Sequence, residues 1–213
     1  FYKKSSLRKS NSIIFVSKTK TRKRILNLRK NKHKSDCKIN FSNLINILQE
    51  RKINKGVIGG YYTVNYEIDD LNILEKLKQK KYKISLPVIK NNNNLDFYIW
   101  SSQIPLKVNK YGIPEPFKNK LVYPDVLLVP TVAFDERKFR LGYGGGYYDR
   151  YIAKLKKVKN FLSIGLAYDF QKVKKLKVNK FDQKLNIILT DKKVYKWELF
   201  FWEMSLENQD VQL

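Results

Sequence analysis

The chain has 213 residues, of which 43% are hydrophobic and 14% aromatic, and this is enough apolar material for one sizeable core. The formal charge is +25, but 36 of the 44 basic residues are lysines and asparagine is also abundant, a composition that favours solvated faces over an arginine-rich surface for nucleic acid. The single cysteine and single histidine exclude a disulfide framework and disfavour a clustered zinc site or a Ser-His-Asp triad.

The beginning of the chain shows no clear element. Residues 1–17 are expected to form a poorly ordered basic leader, and the missing initiating methionine suggests an over-extended or truncated reading frame. The segment at residues 12–16 is too short for a convincing signal peptide, and no apolar run approaches the ~20 residues that cross a bilayer. We therefore expect a cytoplasmic protein, monomeric and without a membrane partner.

Helices and strands are then predicted in alternation. A helix over residues 18–30 follows Ser17, which suits an N-cap, and contains neither glycine nor proline. Apolar residues at helical spacing predict a second helix over residues 40–51. The next predictions are a buried strand at residues 57–62, a helix from Asp69 to Leu77, a strand at 83–87, a turn at 91–94 and a strand at 96–100.

The second half of the chain continues the alternation. The apolar run at residues 126–129 is bounded by Pro124 and Pro130, which predicts a central strand. A helix at residues 147–155, strands at 161–167 and 185–189, and an aromatic tail at 197–213 follow; the tail is either a closing element or a partner surface. This order predicts an α/β fold, a three-layer α/β/α single domain over residues 18–196 with a mainly parallel or mixed central sheet.

The most informative segment is a glycine-rich turn between the predicted central strand and the helix at residues 147–155. It reads Arg-Leu-Gly-Tyr-Gly-Gly-Gly-Tyr-Tyr-Asp-Arg over residues 140–150. Missing Cβ atoms let backbone N–H groups approach an anion, and the following helix N-terminus adds partial positive charge. The turn can therefore cradle phosphate, with Arg140 neutralising charge and Asp149 holding a magnesium ion that accompanies a nucleotide.

Glycine spacing alone leaves other interpretations open. The turn matches neither the Walker pattern nor the dinucleotide fingerprint, so it can equally be a tight connection. It also differs from the aromatic RNA-binding octapeptide, because Leu141 and Gly145 stand where that motif has a basic and an aromatic residue. A basic RNA-associated protein remains the alternative to an enzyme, and it requires a continuous basic face with exposed aromatic side chains.

The same segment resembles the signature of the 5-formyltetrahydrofolate cyclo-ligase family, also called 5,10-methenyltetrahydrofolate synthetases. Matching segments occur at residues 129–135, at 112–116 (Gly-Ile-Pro-Glu-Pro) and at 66–69 (Tyr-Glu-Ile-Asp), and the resemblance spans residues 18–191. It implies an ATP- and magnesium-dependent closure of 5-formyltetrahydrofolate to 5,10-methenyltetrahydrofolate, with release of ADP and phosphate. In such a reaction the γ-phosphoryl group passes to the formyl oxygen and the folate N10 attacks the activated carbon.

The resemblance also implies roles for individual residues. Lys18 and Arg22, one helical turn apart, resemble an ATP-binding pair, although Lys4 and Arg8 share their spacing. The resemblance implies catalytic roles for Arg140 and Tyr147 and metal ligation by Asp149 and Asn186. The implied folate-binding residues are Tyr62, Glu67, Trp100 and Tyr147. The other implied ATP-binding residues are Arg140, Leu141, Gly142, Tyr143, Gly144, Gly145, Gly146, Tyr147 and Tyr148.

Several positions depart from the family pattern. Tyr143 and Gly145 stand where some relatives carry a basic residue, so fewer charges would meet the phosphates from that side. Asn186 replaces a carboxylate that relatives are thought to use for magnesium, and an amide oxygen binds a hard cation more weakly. Thr131 stands where glycine is usual. A further interpretation therefore keeps the fold and the ATP site but assigns another substrate, or no activity.

Overall fold

The computed structural model of the chain describes residues 17–32 and 37–196. The predicted leader up to residue 16, including Lys4 and Arg8, and the predicted aromatic tail at residues 197–213 lie outside these ranges. Within the described ranges, no helix is both long enough and apolar enough to cross a membrane.

Four helices form in the described residues, each close to its predicted position. Asn40 caps the second helix, because its side-chain oxygen accepts a hydrogen bond from the Ser42 N–H at 2.9 Å. The Asp69 carboxylate accepts the Leu71 N–H at 3.0 Å where the third helix begins. The helices are α1 (Lys18–Lys32), α2 (Phe41–Glu50), α3 (Leu71–Gln79) and α4 (Tyr147–Val158).

The described strands form one mixed sheet of eight strands and two short hairpins. They are β1 (Val57–Gly59), β2 (Lys83–Lys90), β3 (Asn94–Ile99), β4 (Lys107–Val108), β5 (Pro114–Glu115), β6 (Leu121–Val122), β7 (Val126–Pro130), β8 (Ala133–Phe134), β9 (Arg140–Leu141), β10 (Leu162–Ala167), β11 (Ile187–Thr190) and β12 (Val194–Tyr195). The order across the large sheet is β12-β11-β10-β7-β1-β2-β3-β6, while β4 pairs with β5 and β8 with β9. The five strands from β11 to β2 are parallel, and the outer strands β12, β3 and β6 are antiparallel to their neighbours.

Alternate residues of the central strand β7 face opposite sides of the sheet. Val126 and Leu128 pack in one core with α2 and α3, whereas Leu127 and Val129 pack in a second core with α4. This is the two-residue period of a strand that is covered on both faces. The helices thus form a layer on each side of a mixed sheet, and the predicted fold class is confirmed.

The first helix, α1, packs beside the glycine turn. Its Ile25 is fully buried in a third cluster with Val132, Ala133 and Leu141, which belong to or flank the β8–β9 hairpin. No strand was predicted in residues 131–141. Their hairpin fold is what holds α1 against the glycine turn, because the second hairpin strand leads directly into that turn.

Two strands differ in length from their predictions. β1 ends at Gly59, three residues earlier than predicted, because the Tyr61 N–H donates to the Asp70 carboxylate at 2.8 Å instead of to a neighbouring strand. β2 continues to Lys90, because it pairs with β3 as far as the turn at Asn91–Asn93, within the predicted turn at 91–94. Two asparagines in that turn have left-handed φ values of 57° and 53°, which this residue type tolerates well.

Candidate active site

A cavity of about 1060 Å³ opens at the carboxyl edge of the parallel strands. Tyr62 lines it from the loop after β1, and Pro130 lines it from the end of β7. Ligands of open α/β sheets bind at this edge, where strands end and their loops meet. Of the predicted site residues, only Trp100 and Asn186 do not line the cavity. The predicted residues that line it are Lys18, Arg22, Tyr62, Glu67, Arg140, Leu141, Gly142, Tyr143, Gly144, Gly145, Gly146, Tyr147, Tyr148 and Asp149.

The glycine turn is wrapped by guanidinium groups. Gly144 and Gly146 have φ values of 116° and 68°, which glycine adopts without steric cost. A Cβ at Gly142 would lie 2.8 Å from an Arg140 nitrogen, and one at Gly146 would lie 3.0 Å from an Arg150 nitrogen. The turn therefore needs glycine at residues 144 and 146 for its backbone angles, and the missing Cβ atoms let these cations approach closely.

Arg140 is a buried cation beside the turn, with 7% of its surface exposed. Its Nη2 lies 3.3 Å from Asp149 Oδ2, and its guanidinium carbon lies 5.6 Å from the centre of the Tyr148 ring. Its Nε makes no hydrogen bond with the described residues. Because buried donors are rarely left unpaired, this N–H is a candidate donor to a bound anion.

Two cations of α1 extend the positive charge. Lys18 Nζ forms an ion pair with Asp182 Oδ2 at 2.6 Å, and Arg22 Nε donates to the Gly142 carbonyl at 2.8 Å. The Arg22 guanidinium also lies beside Gly144, where an added Cβ would meet it at 3.5 Å. Together with the two arginines that wrap the turn, these side chains place four cations in the lining of one cavity.

The same cavity contains a buried carboxylate, that of Glu67, which is 4% exposed. Its Oε2 accepts the Val64 N–H at 3.0 Å, while its Oε1 has no hydrogen-bond partner among the described residues. Burial raises the pKa of the Glu67 carboxyl, and the Val64 N–H, the charge of Arg29 and a hydrogen bond from the Tyr143 hydroxyl act in the opposite direction. A ligand with N–H donors can satisfy the unpaired oxygen.

Two tyrosines of the turn both line the cavity and pack on the core. Tyr147 and Tyr148 contact the core cluster on the α4 side of the sheet. The Tyr147 hydroxyl lies 3.4 Å from that of Tyr111, which belongs to the connection between β4 and β5. Their position allows these rings both to stack on a bound ligand and to pack against the core.

Asp149 is the predicted metal ligand that lines the cavity. Its Oδ2 faces Arg140, and its Oδ1 accepts the Gln183 N–H at 3.0 Å. Across residues 17–32 and 37–196, no group of three or more His, Cys, Asp and Glu side chains is arranged to hold a metal ion. This part of the protein thus offers a carboxylate at the turn but no complete metal cage.

Trp100 and Asn186 lie at the opposite, amino edge of the parallel strands. Trp100 follows the antiparallel strand β3, and its backbone N–H donates to the Ile84 carbonyl near the start of β2 at 2.9 Å. The Asn186 side-chain oxygen accepts hydrogen bonds from the Ser163 N–H and hydroxyl, at 2.8 and 2.7 Å, near the start of β10. The structure therefore does not bring these two residues to the cavity, and the Asn186 oxygen is already engaged.

Among the residues at or beside the site that were not predicted are Arg29 and the Lys18 partner Asp182. Arg29 is 1% exposed and donates to the Tyr143 hydroxyl. Its only sequence signal is spacing, since residues 18, 22, 25 and 29 fall on one face of a helix. Asp182 belongs to a segment that resembles a family motif, but its pairing with Lys18, 164 residues away in the chain, could not be predicted locally.

Known proteins resemble this chain in sequence and in fold. The model of the 5-formyltetrahydrofolate cyclo-ligase family matches residues 14–191. The 5-formyltetrahydrofolate cyclo-ligase of Haemophilus influenzae is 34% identical over 152 residues, which cover 68% of this chain and 80% of that protein. The protein of the same name from Escherichia coli K12 is 37% identical over 138 residues, which cover 62% of this chain and 75% of that protein.

A solved structure shows the same architecture. The NMR structure of Aquifex aeolicus 5,10-methenyltetrahydrofolate synthetase superimposes with a TM-score of 0.68 and 30% sequence identity, over 84% of this chain and 92% of that chain. Because the family match covers most of the chain and includes the glycine turn, the resemblance noted from the sequence is confirmed. The chain belongs to the 5-formyltetrahydrofolate cyclo-ligase family and is an enzyme of the ligase class.

Proposed function

We propose that the chain closes 5-formyltetrahydrofolate to 5,10-methenyltetrahydrofolate in a reaction that consumes ATP and releases ADP and phosphate. The supporting observation is that one cavity holds both a glycine turn surrounded by cations and the buried carboxylate of Glu67. The first feature suits a polyphosphate, and the second suits the donor-rich face of a pterin. The cavity of about 1060 Å³ is at the upper end of the ~300–1,000 Å³ range of ligand pockets.

The triphosphate of ATP is proposed to lie on the glycine turn. The first N–H groups of α4 have no partner within the helix, and they present partial positive charge to an anion. Arg22 and Arg140 flank the turn, and Lys18 adds charge from the start of α1. The free Nε of Arg140 supports a direct contact with phosphate oxygen.

The pterin is proposed to lie against Glu67. Pterin N–H groups can donate to the unpaired Oε1, which relieves the cost of leaving a buried acceptor without a partner. Tyr62 and Tyr147 line the same cavity and provide aromatic faces for stacking. This placement brings the folate beside the glycine turn, and therefore beside the phosphate that must reach it.

The proposed chemistry needs activation of a poor leaving group, the amide-like formyl oxygen. Phosphoryl transfer from ATP to that oxygen converts it into a phosphate ester; N10 then bonds to the formyl carbon, the carbon–oxygen bond breaks, and phosphate leaves as the N10 proton is released. Such a reaction depends mainly on alignment and on neutralising charge on the transferred group. Arg140 and Arg22 are proposed to neutralise that charge, so no histidine is required.

A magnesium ion fits the donor set at the turn. Mg²⁺ is commonly held by one or two carboxylates together with substrate phosphates, rather than by a complete protein cage. Asp149 lines the cavity beside the turn, where a bound cation would compete with Arg140 and the Gln183 N–H for its oxygens. We propose Asp149 as its protein ligand; the bound ion would supply charge neutralisation to the phosphates.

The RNA-binding alternative is less well supported. It requires a continuous basic face with exposed aromatic side chains. The four cations near the glycine turn instead converge on a cavity that also contains a buried carboxylate. This arrangement favours small-molecule substrates, a folate and ATP, as the partners of the site.

A combined absorbance and isotope experiment tests the proposed function. Purified protein with 5-formyltetrahydrofolate, magnesium and ATP is expected to give the rising absorbance of the methenyl product and stoichiometric ADP. If the formyl oxygen is labelled with ¹⁸O, the label is expected in inorganic phosphate. Folded protein that forms no methenyl product would contradict the substrate assignment and favour another substrate or no activity. Product accompanied by unlabelled phosphate would contradict the transfer to the formyl oxygen.

A further inference from the structure

Two arginines reach the glycine turn from different helices and donate to its backbone carbonyls. Arg22 of α1 donates through its Nε to the Gly142 carbonyl at 2.8 Å. Arg150 of α4 donates through its Nη2 to the Gly145 carbonyl. Hydrogen bonds from a charged donor are among the stronger ones in proteins, so these two contacts hold the turn near both of its ends.

The planar peptide bond links each of these carbonyls to the N–H that follows it. In a trans peptide unit the C=O and the next N–H point in opposite directions. A guanidinium that fixes the Gly142 carbonyl therefore also fixes the direction of the Tyr143 N–H, and one that fixes the Gly145 carbonyl fixes the Gly146 N–H. Neither N–H donates to an acceptor within the described residues. Both remain available to a ligand of the cavity that the turn lines.

The two arginines also remove an obstacle to anion binding. A carbonyl oxygen carries partial negative charge and would repel a phosphate placed on the turn. When that oxygen accepts from a guanidinium, the full positive charge of the donor outweighs it. The hydrogen-bond partners of Arg150 in the described residues are backbone carbonyls rather than carboxylates, so its positive charge stays available to a bound anion.

Arg150 is itself held by a second turn. Its Nε donates at 3.0 Å to the carbonyl of Asn93, which belongs to the asparagine turn (Asn91–Asn93) between β2 and β3. Its guanidinium carbon lies 6.0 Å from the centre of the Tyr147 ring, and its Nη1 lies 3.0 Å from the position of a Cβ added at Gly146. Because two of its nitrogens are engaged by carbonyls of different turns, the guanidinium forms a fixed bridge between the asparagine turn and the glycine turn.

We propose that Arg150 is a positioning residue for the ATP site: it orients the peptide unit of Gly145 and Gly146 so that the Gly146 N–H donates to phosphate, and the asparagine turn holds Arg150 in place. Arg22 acts in the same way on the Tyr143 N–H. This inference rests on the proposed binding of the triphosphate by the glycine turn. It gives the asparagine turn a part in building the site, in addition to joining two strands.

The affinity for a non-hydrolysable ATP analogue with magnesium, measured by titration calorimetry, is the first test. Arg150→Met is expected to bind the analogue about tenfold more weakly, the order of one hydrogen bond to a charged group. Arg150→Lys keeps the charge but lacks the planar fork that reaches two carbonyls, so an intermediate affinity is expected. Lys157→Met removes an exposed cation from the same helix and is expected to bind like the wild type. Equal weakening in Lys157→Met would overturn the inference.

A double-mutant cycle tests whether the asparagine turn acts through Arg150. In Asn93→Val the β-branched side chain disfavours the left-handed φ of 53°, so the carbonyl is displaced and a smaller loss of affinity than in Arg150→Met is expected. Asn93→Gly tolerates this angle and is expected to bind more tightly than Asn93→Val. Adding Asn93→Val to Arg150→Met is expected to cause no further loss, because the anchor acts through the arginine. Additive losses would overturn the role of the asparagine turn.

Amide resonances separate positioning from a direct contact between Arg150 and phosphate. In the wild type, the N–H signals of Tyr143 and Gly146 are expected to move downfield when the ATP analogue binds, because donation to phosphate deshields the proton. In Arg150→Met at saturating analogue, the Gly146 shift is expected to be lost while the Tyr143 shift remains. A guanidinium that only bound phosphate directly would leave the Gly146 shift in place, and that result would overturn the inference.

Failure of this inference is distinguishable from failure of the proposed function. If the folded wild type does not bind the ATP analogue, the proposed function and the inference fail together. If it binds the analogue but the Gly146 signal does not move, or if Arg150→Met behaves like the wild type, only the inference fails. Thermal unfolding shows whether the variants are folded; Arg150 is exposed, and Asn93→Val leaves it in place and provides a second variant that decides the question.

Discussion

Replacing Arg140 with methionine is expected to lower kcat/KM for ATP by about 100- to 1,000-fold, the loss that follows removal of one preorganised donor to developing charge. Arg140 is buried beside the glycine turn, its Nη2 is held by Asp149 and its Nε is unpaired. A desolvated and oriented cation acts on a phosphoryl group more strongly than an exposed lysine does. The methenyl absorbance assay at varied ATP concentration measures the effect.

Two further variants frame the Arg140 result. Arg140→Lys keeps the charge but loses the planar donor geometry, so an intermediate loss is expected. Lys157→Met removes an exposed cation from the last turn of α4 and is expected to leave kcat/KM unchanged. If folded Arg140→Met turned over ATP at the wild-type rate, Arg140 would have no part in the transfer. An equally large fall of kcat/KM in Lys157→Met would show that the effect comes from the overall positive charge of the protein rather than from the position of Arg140.

Gly144→Val is expected to weaken ATP binding by about tenfold or more while the fold is retained. A φ of 116° is rarely adopted by residues with a side chain, and such strain costs about 1–3 kcal/mol. A Cβ at this position would already touch the Arg22 guanidinium at 3.5 Å, so the branched carbons of valine would displace it from the turn. Calorimetric titration with a non-hydrolysable ATP analogue measures the affinity.

Gly112→Val is the matched control for Gly144→Val. Gly112 also has a left-handed φ, of 74°, but an added Cβ there would meet nothing within 4 Å. A similar loss of stability but unchanged affinity for the ATP analogue is therefore expected. Equal nucleotide affinity in Gly144→Val and the wild type would refute the phosphate cradle. Equal weakening in both glycine variants would trace the effect to strain rather than to the turn.

The parts of the fold that the sequence predicts well have strong local signals. The apolar run at residues 126–129 between two prolines predicts β7, and a strand of this kind must be buried on both faces. The asparagine turn predicts the β2–β3 hairpin because asparagine tolerates the left-handed angles found there. The sequence also predicts the glycine turn as part of the site, because the glycines and arginines that make it suitable for phosphate are close together in the chain.

Features that depend on distant partners were not predicted. β1 ends early because the Tyr61 N–H donates to the Asp70 carboxylate, and no sequence pattern near Tyr61 indicates that hydrogen bond. Arg29 looks like one more solvated cation in a lysine-rich helix until Tyr143, 114 residues later, is brought against it. Asn186 was assigned by its position in a motif, but its amide oxygen is used by Ser163 at the other edge of the sheet.

We propose that the glycine turn holds the triphosphate in the same cavity that binds the folate. A crystal structure with 5-formyltetrahydrofolate and a non-hydrolysable ATP analogue tests this most directly. The expected result is γ-phosphate oxygens within hydrogen-bond distance of the turn amides and Arg140, with the pterin donating to Glu67. Nucleotide bound elsewhere, with the turn closed under neighbouring segments and no phosphate against it, would contradict the account.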